Sequence, residues 1–292
     1  MTCSSVSLPP GTLWPRVIAQ TQSALENGAL QPIATEIHSL EEQGVNFLVR
    51  ILANLERKAQ AKKLQTTTKP KDFNPFLPYD ANLFVGDLSA THVCLLNKFN
   101  AVDHHLLIIT RDFEEQENLL NLEDFTAAVL ALTEIDGLVF YNSGKLAGAS
   151  QRHKHLQLVP LPLVDTNISF PLETWFLAAM WAGKSLPFQQ AIAPCPQNCQ
   201  SEPENWAAYL EITYLQLLQQ LDLWQPASPK PKPYNLLMTR QWLMLIPRSQ
   251  ESYNGIEVNA LGFVGALLVR NTSQLEQLKT IGPFTLLKKV GV

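Results

Sequence analysis

The chain has 292 residues, of which 46% are hydrophobic and 16% are charged, and its formal net charge is −4 at pH 7. This composition is ordinary for a globular protein with a substantial core, and it excludes an intrinsically disordered chain. The 22 basic against 26 acidic side chains also argue against a general nucleic-acid-binding protein, because contacts with phosphates need a basic surface.

The sequence predicts neither secretion nor a membrane span. The initial segment MTCSSVSLPPGTLWPRV lacks a basic region followed by a long apolar run. The longest apolar runs, FLAAMWAG and FVGALLV, are much shorter than the ~20 residues that cross a bilayer. Four cysteines are too few and too irregular for a disulfide scaffold, and Cys195 and Cys199 have no second cysteine pair with which to bind zinc. We therefore expect a cytoplasmic protein with no zinc site at these cysteines, no membrane partner and no nucleic-acid partner.

The first elements in chain order are a helix and two strands. TLWPRVIAQTQSALENGAL predicts a helix that ends at Gly28. The following segment RKAQAKKLQTTTKPK carries six basic residues and no acidic one; it predicts a solvated linker, or a linker with one or two lysines that reach a phosphate. THVCLLNKFN and HHLLIITRDF then predict two strands joined by a short turn between Asn100 and Asp103.

A helix and two more strands follow. NLEDFTAAVLALTEIDG predicts a helix with Asn121 as N-cap, Asp124 in its first turn and Gly137 as its stop. GLVFYN and HKHLQLVPL predict strands, separated by the glycine-containing loop SGKLAGAS. The order strand–strand–helix–strand–loop–strand indicates an α+β protein with a mainly antiparallel sheet.

The second half predicts a helix and at least two strands. In SEPENWAAYLEITYLQLLQQL, Ser201 and Glu204 have the spacing of a capping box. WQPASPKPKPYN predicts a stiff, exposed linker, and NLLMTRQWLMLIPRS predicts two strands. LGFVGALLV is apolar throughout, so its periodicity fits either a helix or a strand.

The segment SQRHKHLQLVP holds two histidines and a glutamine at alternate positions. Because side chains alternate between the faces of a strand, His153, His155 and Gln157 share one face, and Lys154 and Leu156 lie on the other. We call His153, His155 and Gln157 the polar row. Buried polar side chains cost free energy unless they have hydrogen-bond partners, so the polar row must have such partners or a function that offsets this cost.

Three interpretations of this row fit the spacing. The histidines could be core residues that bond backbone carbonyls, or they could bind a metal, although a third ligand is missing and glutamine is a poor zinc ligand. In the third interpretation one histidine is a nucleophile whose other ring nitrogen is held by an acceptor. The upstream loop YNSGKLAGASQ, with Lys145, fits the third, because glycines let backbone N–H groups approach an anion. Spacing alone leaves all three open.

The motifs NSG, GASQ and HKHLQ resemble the histidine-triad superfamily in its His-x-His-x-Gln transferase branch. The segments NPFLPYD, NKFN, DHHLL, YNLLMT and IPRS are similar to the diadenosine tetraphosphate (Ap4A) phosphorylases, also called ATP adenylyltransferases. The likeness runs from about residue 45 to the C-terminus. It implies an α+β, histidine-triad-like fold with a mainly antiparallel sheet flanked by helices, in which residues 1–165 carry the motif and residues 166–292 complete the nucleotide site of one compact unit.

The resemblance implies reversible phosphorolysis of Ap4A to ATP and ADP. His155 would attack the α-phosphorus, ATP would leave, and phosphate would then release ADP from an adenylyl-histidine. His153 would orient and hydrogen-bond, and Gln157 would contact a phosphoryl or bridging oxygen. The related hydrolases carry a third histidine at the place of Gln157, so the resemblance favours transfer over hydrolysis.

The implied partners are dinucleoside polyphosphates, ATP, ADP and phosphate. No cofactor is required, and a divalent cation such as Mg²⁺ would assist by neutralising the polyphosphate. By position, the residues that would bind the nucleotide, with Gln157, are Lys58, Asn97, Lys98, Asn142, Gly148, Ala149, Ser150, Gln151, Asn235, Thr239 and Arg248.

Other assignments are weaker. His104 and His105, at the entrance of a strand, are assigned a structural role in preference to a catalytic one. Galactose-1-phosphate uridylyltransferases share His-x-His-x-Gln, but they usually carry proline where this chain has Lys154, and their zinc-ligand cysteines are not apparent here. A catalytically silent nucleotide sensor on the same fold is a further alternative, although a pure binder has no need of a nucleophile.

Overall fold

The computed structural model describes residues 8–52, 73–196 and 202–292 of the chain. Lys58 with its basic segment, Cys199 and Ser201 lie outside the described residues. Within the described ranges, no helix is long and apolar enough to span a bilayer.

Six helices belong to the described residues. They are α1 (Leu13–Glu26), α2 (Leu122–Glu134), α3 (Glu173–Ala182), α4 (Pro203–Gln220), α5 (Thr272–Ile281) and α6 (Pro283–Val290).

The same described ranges contain thirteen strands. They are β1 (Thr35–Glu42), β2 (Val45–Leu52), β3 (Phe84–Asp87), β4 (His92–Leu96), β5 (Leu106–Thr110), β6 (Gly137–Asn142), β7 (His155–Pro160), β8 (Ala191–Pro194), β9 (Tyr234–Met238), β10 (Trp242–Pro247), β11 (Ser252–Tyr253), β12 (Ile256–Glu257) and β13 (Ala266–Val269).

The core of the fold is an eight-stranded sheet in the order β3–β4–β5–β7–β6–β9–β10–β8. Each of its strand pairs is antiparallel, which confirms the predicted α+β class with a mainly antiparallel sheet. Strand β6 pairs with β9, so strands from the N-terminal and C-terminal halves share this sheet. A three-stranded sheet (β1–β2–β13) and a β11–β12 ribbon complete the strand pairing.

Each face of the large sheet has its own apolar core. On one face, Leu156 and Leu158 of β7 belong to a cluster with side chains of α1, α2 and α4. On the other face, Phe140 and Leu237 belong to a cluster with the small sheet and α6. A smaller cluster that includes Phe76 lies over β4 and β5. The polar positions of β7 lie on this second face, as strand alternation predicts.

Most of the predicted elements are confirmed, with shifts at their ends. Helix α1 ends at Glu26, and Gly28 follows it with φ 77°. Strands β4 and β5 form the predicted hairpin, but their connection is longer than the turn expected between Asn100 and Asp103. In LGFVGALLV a short 3₁₀ turn is followed by strand β13, so both a helical and an extended part are present.

Two predicted helix boundaries are wrong. Helix α2 ends at Glu134, and Gly137 begins β6 instead of stopping the helix. A Cβ atom on Gly137 would lie 2.9 Å from the carbonyl oxygen of Val159, so a close strand approach, and not a helix cap, requires glycine there. Helix α4 has Glu202 as its N-cap, with no side-chain capping bond, where the capping box had placed Ser201.

The start of α2 agrees with the prediction. The Asn121 side chain accepts from the backbone N–H of Asp124 at 3.0 Å, and the Asp124 carboxylate accepts from the Asn121 N–H at 2.8 Å. This reciprocal capping box satisfies two N–H groups that would otherwise lack intrahelical partners. It also fixes Asp124 at the base of the helix, directly over the sheet.

Replacing Asn121 with alanine should therefore lower the free energy of unfolding by about 1 kcal/mol, because one half of the capping box is lost. Urea denaturation monitored by circular dichroism measures the change. Thr12→Ala is the matched control, since Thr12 is the N-cap of α1 but its side chain makes no capping bond. Equal losses in the two variants would contradict this assignment.

Candidate active site

The polar row lies where β5, β7, β6 and β9 run side by side. Ile109 of β5 pairs with His155, and Phe140 of β6 pairs with Gln157. One strand further, Asn142 pairs with Asn235. The motif therefore lies in the middle of the large sheet, where strands on both sides fix its backbone.

His155 is held as a neutral ring with a defined tautomer. Its Nδ1 lies 2.7 Å from the backbone oxygen of His153, and since a carbonyl can only accept, Nδ1 carries the proton. The lone pair of the ring is then on Nε2. Burial lowers the pKa of His155 to about 4, so the ring stays unprotonated at neutral pH. These are the properties of a nitrogen nucleophile.

His153 serves the site through its backbone oxygen, and its side chain is fully engaged. Nε2 lies 2.8 Å from the backbone oxygen and 2.9 Å from the hydroxyl of Thr110, and Nδ1 lies 2.9 Å from the amide nitrogen of Asn74. His153 and His155 both pack edge-on against Phe76, which confirms that they share a face. Among the described residues, no group of three or more potential metal ligands occurs.

Gln157 belongs to a hydrogen-bonded chain with His105 and Asn97. The Asn97 amide nitrogen lies 3.2 Å from His105 Nδ1, and His105 Nε2 lies 3.0 Å from Gln157 Oε1. An amide nitrogen can only donate, so His105 accepts at Nδ1 and donates from Nε2. The Gln157 oxygen is thereby occupied, whereas its NH₂ group has no hydrogen-bond partner among the described residues. Burial lowers the pKa of His105 to about 4, so this chain is neutral.

These contacts bear on two assignments. His105, which is assigned a structural role, bonds and orients Gln157. The Asn97 amide bonds His105, and its contact with nucleotide stays a prediction. The adjacent His104 has the expected structural position, with its ring against Trp14 and its Nδ1 3.1 Å from the hydroxyl of Thr21.

Gln116 is a site residue that the sequence did not reveal. Its Oε1 accepts from the His155 N–H at 2.8 Å, and its Nε2 donates to the backbone oxygens of Asn142 and His155 at 2.9 and 3.2 Å. The Gln116 side chain is buried. The backbone pairing of β6 with β7 ends at Phe140 and Gln157, and beyond that point the hydrogen bonds of Gln116 connect His155 with Asn142 instead. Gln116 lies in an irregular segment without periodicity, so only the contact itself identifies it.

The glycine loop after β6 is a tight turn with free backbone donors at its end. Gly144 and Gly148 have φ 91° and 92°, a region that strongly favours glycine. The N–H of Ala149 donates to the Gly144 oxygen, which closes the turn. Beyond it, the N–H groups of Ser150 and Gln151 have no partner among the described residues. Such free N–H groups beside a glycine turn suit an anion.

Asn142, Asn235 and Arg248 form a buried network behind this loop. Asn235 Nδ2 donates to the side-chain oxygen Oδ1 of Asn142 at 2.8 Å, and Arg248 Nη1 donates to Oδ1 of Asn235 at 2.6 Å. Both Asn235 and Arg248 also donate to the backbone oxygen of Ala147. Burial lowers the pKa of Arg248 to about 10, so it remains charged. Asn235 and Arg248 thus hold the loop from behind through Ala147, and Arg248 also donates to the backbone oxygens of Val290 and Gln250. The contact of these residues with nucleotide stays a prediction.

Two further predicted ligands, Lys98 and Thr239, contact other protein groups. Lys98 follows β4, and its ammonium is 4.0 Å from the carboxylate of Asp80. Thr239 begins the turn after β9, and its hydroxyl accepts from the Gln241 N–H at 3.1 Å. Four residues separate it from Asn235, about 13 Å along a strand. In the sheet register Gln157 is level with Leu237, two positions before Thr239, whereas Asn142 is level with Asn235. The role of Thr239 in binding stays a prediction.

Comparison with known proteins yields one consistent family. The profile described as Ap4A phosphorylase N-terminal domain matches residues 3–178, and that of the ATP adenylyltransferase C-terminal domain matches residues 184–292. The chain is 29% identical over 284 residues to diadenosine 5',5'''-P1,P4-tetraphosphate phosphorylase 2 of Saccharomyces cerevisiae, with 88% of this chain and 86% of the relative covered. It is 27% identical over 277 residues to Protein APA1 of the same yeast, with 86% and 84% covered.

The fold agrees with these matches. The crystal structure of yeast Ap4A phosphorylase Apa2 in complex with Ap4A superposes with a TM-score of 0.75 at 24% identity, covering 97% of this chain and 98% of that chain. The complex of the same yeast enzyme with AMP gives a TM-score of 0.76. With one profile covering more than half of its length and a second covering most of the remainder, the chain belongs to the Ap4A phosphorylase family.

Proposed function

We propose that this protein catalyses the reversible phosphorolysis of Ap4A to ATP and ADP through an adenylyl group carried on Nε2 of His155. The observation that carries the proposal is the 2.7 Å contact between His155 Nδ1 and the His153 oxygen, because it leaves the lone pair on Nε2. Membership of the Ap4A phosphorylase family supplies the substrate.

In the first step, the Nε2 lone pair forms a bond to the α-phosphorus of one adenylate. The bond from that phosphorus to the bridging oxygen breaks, and ATP leaves with the electron pair. The ring becomes positively charged, and its Nδ1–H still donates to the His153 carbonyl, whose dipole stabilises that charge. In the second step, a phosphate oxygen attacks the same phosphorus, the N–P bond breaks, and ADP forms while the ring returns to neutral.

Gln157 favours phosphate over water as the acceptor. Its free NH₂ group can donate to an oxygen on the reacting phosphorus, but an amide cannot remove a proton from water. His105 cannot supply a base either, since its Nε2–H is directed at Gln157 and its Nδ1 faces Asn97. Phosphate carries its own negative charge and needs no base, so a neutral site of this kind suits phosphorolysis.

The remaining residues are proposed to bind or to support. The N–H groups of Ser150 and Gln151, beside Gly148 and Ala149, would hold the polyphosphate. Lys58 and Lys98 remain predicted cationic ligands. We also assign Asn142, Asn235 and Arg248 to holding the loop that presents these donors. The cytoplasmic location also stays a prediction.

The reaction is tested by incubating the protein with Ap4A, with and without phosphate, in the presence of Mg²⁺. ATP and ADP should appear in equal amounts and only with phosphate. His155→Ala should abolish both turnover and the trapping of adenylate labelled at the α-phosphorus, because no other nitrogen replaces Nε2. His104→Ala is the control for a neighbouring histidine outside the polar row.

Other products would reject the proposal. AMP and ATP without phosphate would indicate a hydrolase, and tight Ap4A binding without product would indicate a sensor. Exchange between UDP-glucose and galactose 1-phosphate would indicate a uridylyltransferase. Substantial activity in His155→Ala would place the nucleophile elsewhere.

His105→Phe should lower kcat by about 10–100-fold with little change in KM, because the freed Gln157 amide no longer presents its NH₂ group to the reacting phosphorus. Steady-state kinetics on Ap4A give both constants. His104→Phe is the matched control and should keep kcat near that of the wild type. A fall in stability with unchanged kcat would return His105 to a purely structural role.

The two low pKa values also predict a pH dependence of stability. His105 and His155 titrate near pH 4 in the folded protein and near 6.5 when unfolded. As the pH falls from 6.5 to 4, only the unfolded state takes up these protons, so the free energy of unfolding falls, by up to ~1.4 kcal/mol per pH unit for each histidine. Urea denaturation at pH 7 and pH 5 measures the loss. The loss of free energy of unfolding between pH 7 and pH 5 should be about 1–2 kcal/mol smaller in His105→Phe than in the wild type. An identical loss in the two proteins would contradict the lowered pKa of His105.

A further inference from the structure

Lys154, the residue between the two histidines of the motif, has no part in the chemistry described above. It is completely buried, and its side chain lies on the opposite face of the strand from His153 and His155. Its ammonium is 2.5 Å from a carboxylate oxygen of Asp124 and 3.1 Å from one of Glu114. Asp124 is also completely buried.

A buried ion pair of this kind is a poor device for stability alone. Removing two charges from water costs several kcal/mol per ion, and apolar replacements of similar volume are often as stable. The pair therefore has a benefit other than stability, which is the local conformation that it holds in place. It lies within the motif, next to the peptide bond between His153 and Lys154.

The partners of Lys154 are themselves fixed. Asp124 belongs to the capping box of α2 and lies 3.1 Å from Nε2 of His92, at the start of β4. Lys154 is thus tied through one carboxylate to a helix and to a neighbouring strand. Glu114 adds a tie to the irregular segment that also carries Gln116.

The backbone of Lys154 is bonded on both sides. Its N–H donates to the Glu114 oxygen at 2.8 Å, and its oxygen accepts from the Thr110 N–H at 3.2 Å. The N–H of Lys154 and the carbonyl of His153 belong to one planar peptide unit. Whatever fixes Lys154 therefore fixes the direction of the oxygen that accepts from His155.

We propose that Lys154 is a positioning residue, whose ion pair with Asp124 holds the His153 carbonyl where it bonds the Nδ1–H of His155. The kinetic consequence rests on the proposed function, whereas the hydrogen bond itself does not. Loss of the pair lets the peptide rotate, weakens the bond to Nδ1 and misplaces Nε2. A displacement of about 1 Å at a reacting atom can cost about 100-fold in rate.

The test is the double variant Lys154→Met/Asp124→Asn, which removes both charges and leaves neither buried without a partner. The matched control is Lys232→Met/Asp222→Asn, the same exchange in an exposed ion pair with a 2.7 Å contact. Two quantities are measured: the Nδ1–H proton resonance of His155, assigned by its absence in His155→Ala, and the kinetics of phosphorolysis.

In the double variant, the Nδ1–H resonance should broaden or disappear at neutral pH, and kcat should fall by about 10–100-fold while KM for Ap4A stays within about twofold. The control double variant should keep the Nδ1–H resonance and kcat of the wild type. Lys154→Arg, which retains the charge, should have a higher kcat than the Lys154→Met/Asp124→Asn variant. A folded double variant with wild-type resonance and kcat overturns the proposal, and so does a loss of stability with unchanged kcat.

Asp124→Asn alone keeps the proposal testable if the double variant does not fold, because its amide oxygen still accepts from Lys154. It should weaken the resonance and lower kcat by less than the double variant, and no change in either overturns the proposal. The two proposals fail separately. Wild type without phosphorolysis rejects the function alone, while an active wild type with an unchanged double variant rejects the positioning role alone.

Discussion

The hydrogen bond from His155 Nδ1–H to the His153 carbonyl is the constraint on which the site depends. It selects one tautomer, and burial keeps that tautomer neutral by lowering the pKa of the ring to about 4. A histidine held in this way offers a lone pair at Nε2 without first losing a proton. Two residues of one chain segment supply both donor and acceptor, so the bond requires that the backbone between them keep a single conformation.

The surrounding structure meets that requirement with polar groups that are paired to one another. Gln116 holds the N–H and the oxygen of His155, and Thr110 holds the ring of His153. Buried polar groups of this kind are costly when unpaired, and a fully satisfied network specifies one arrangement. The apolar residues on the opposite face of β7, such as Leu156, supply the burial that fixes the strand in the core.

The sequence predicts those features that depend on local periodicity. Alternation along the motif correctly places His153 and His155 on one face, and the capping residues Asn121 and Asp124 are found where the helix begins. These follow from bonds between residues a few positions apart. The spacing leaves core histidines, a metal site and a nucleophile open, because nothing local reports where the lone pair lies.

Features that depend on distant contacts are not predictable in this way. The bond between His105 and Gln157 joins the residue before β5 to β7, and Gln116 comes from a segment with no regular pattern. Arg248 has the residue type of a phosphate ligand, but its burial and its bond to Asn235 give it a place behind the loop. Residue type suggests a chemistry, and only the packing decides whether the side chain is free to perform it.

In the proposed reaction, the choice of acceptor follows from the same neutrality that protects the nucleophile. Burial that keeps His155 and His105 uncharged also removes them as bases near neutral pH, since a ring with a pKa of about 4 takes a proton from water poorly. Gln157 adds hydrogen-bond donors without adding a base. Hydrolysis would need a group that accepts the proton of water as it attacks, whereas phosphate arrives with its charge already developed. A site built from amides, carbonyls and neutral imidazoles is thus matched to an acceptor that needs no base, and its selectivity arises from the absence of a base beside the reacting phosphorus as much as from any contact with the nucleotide.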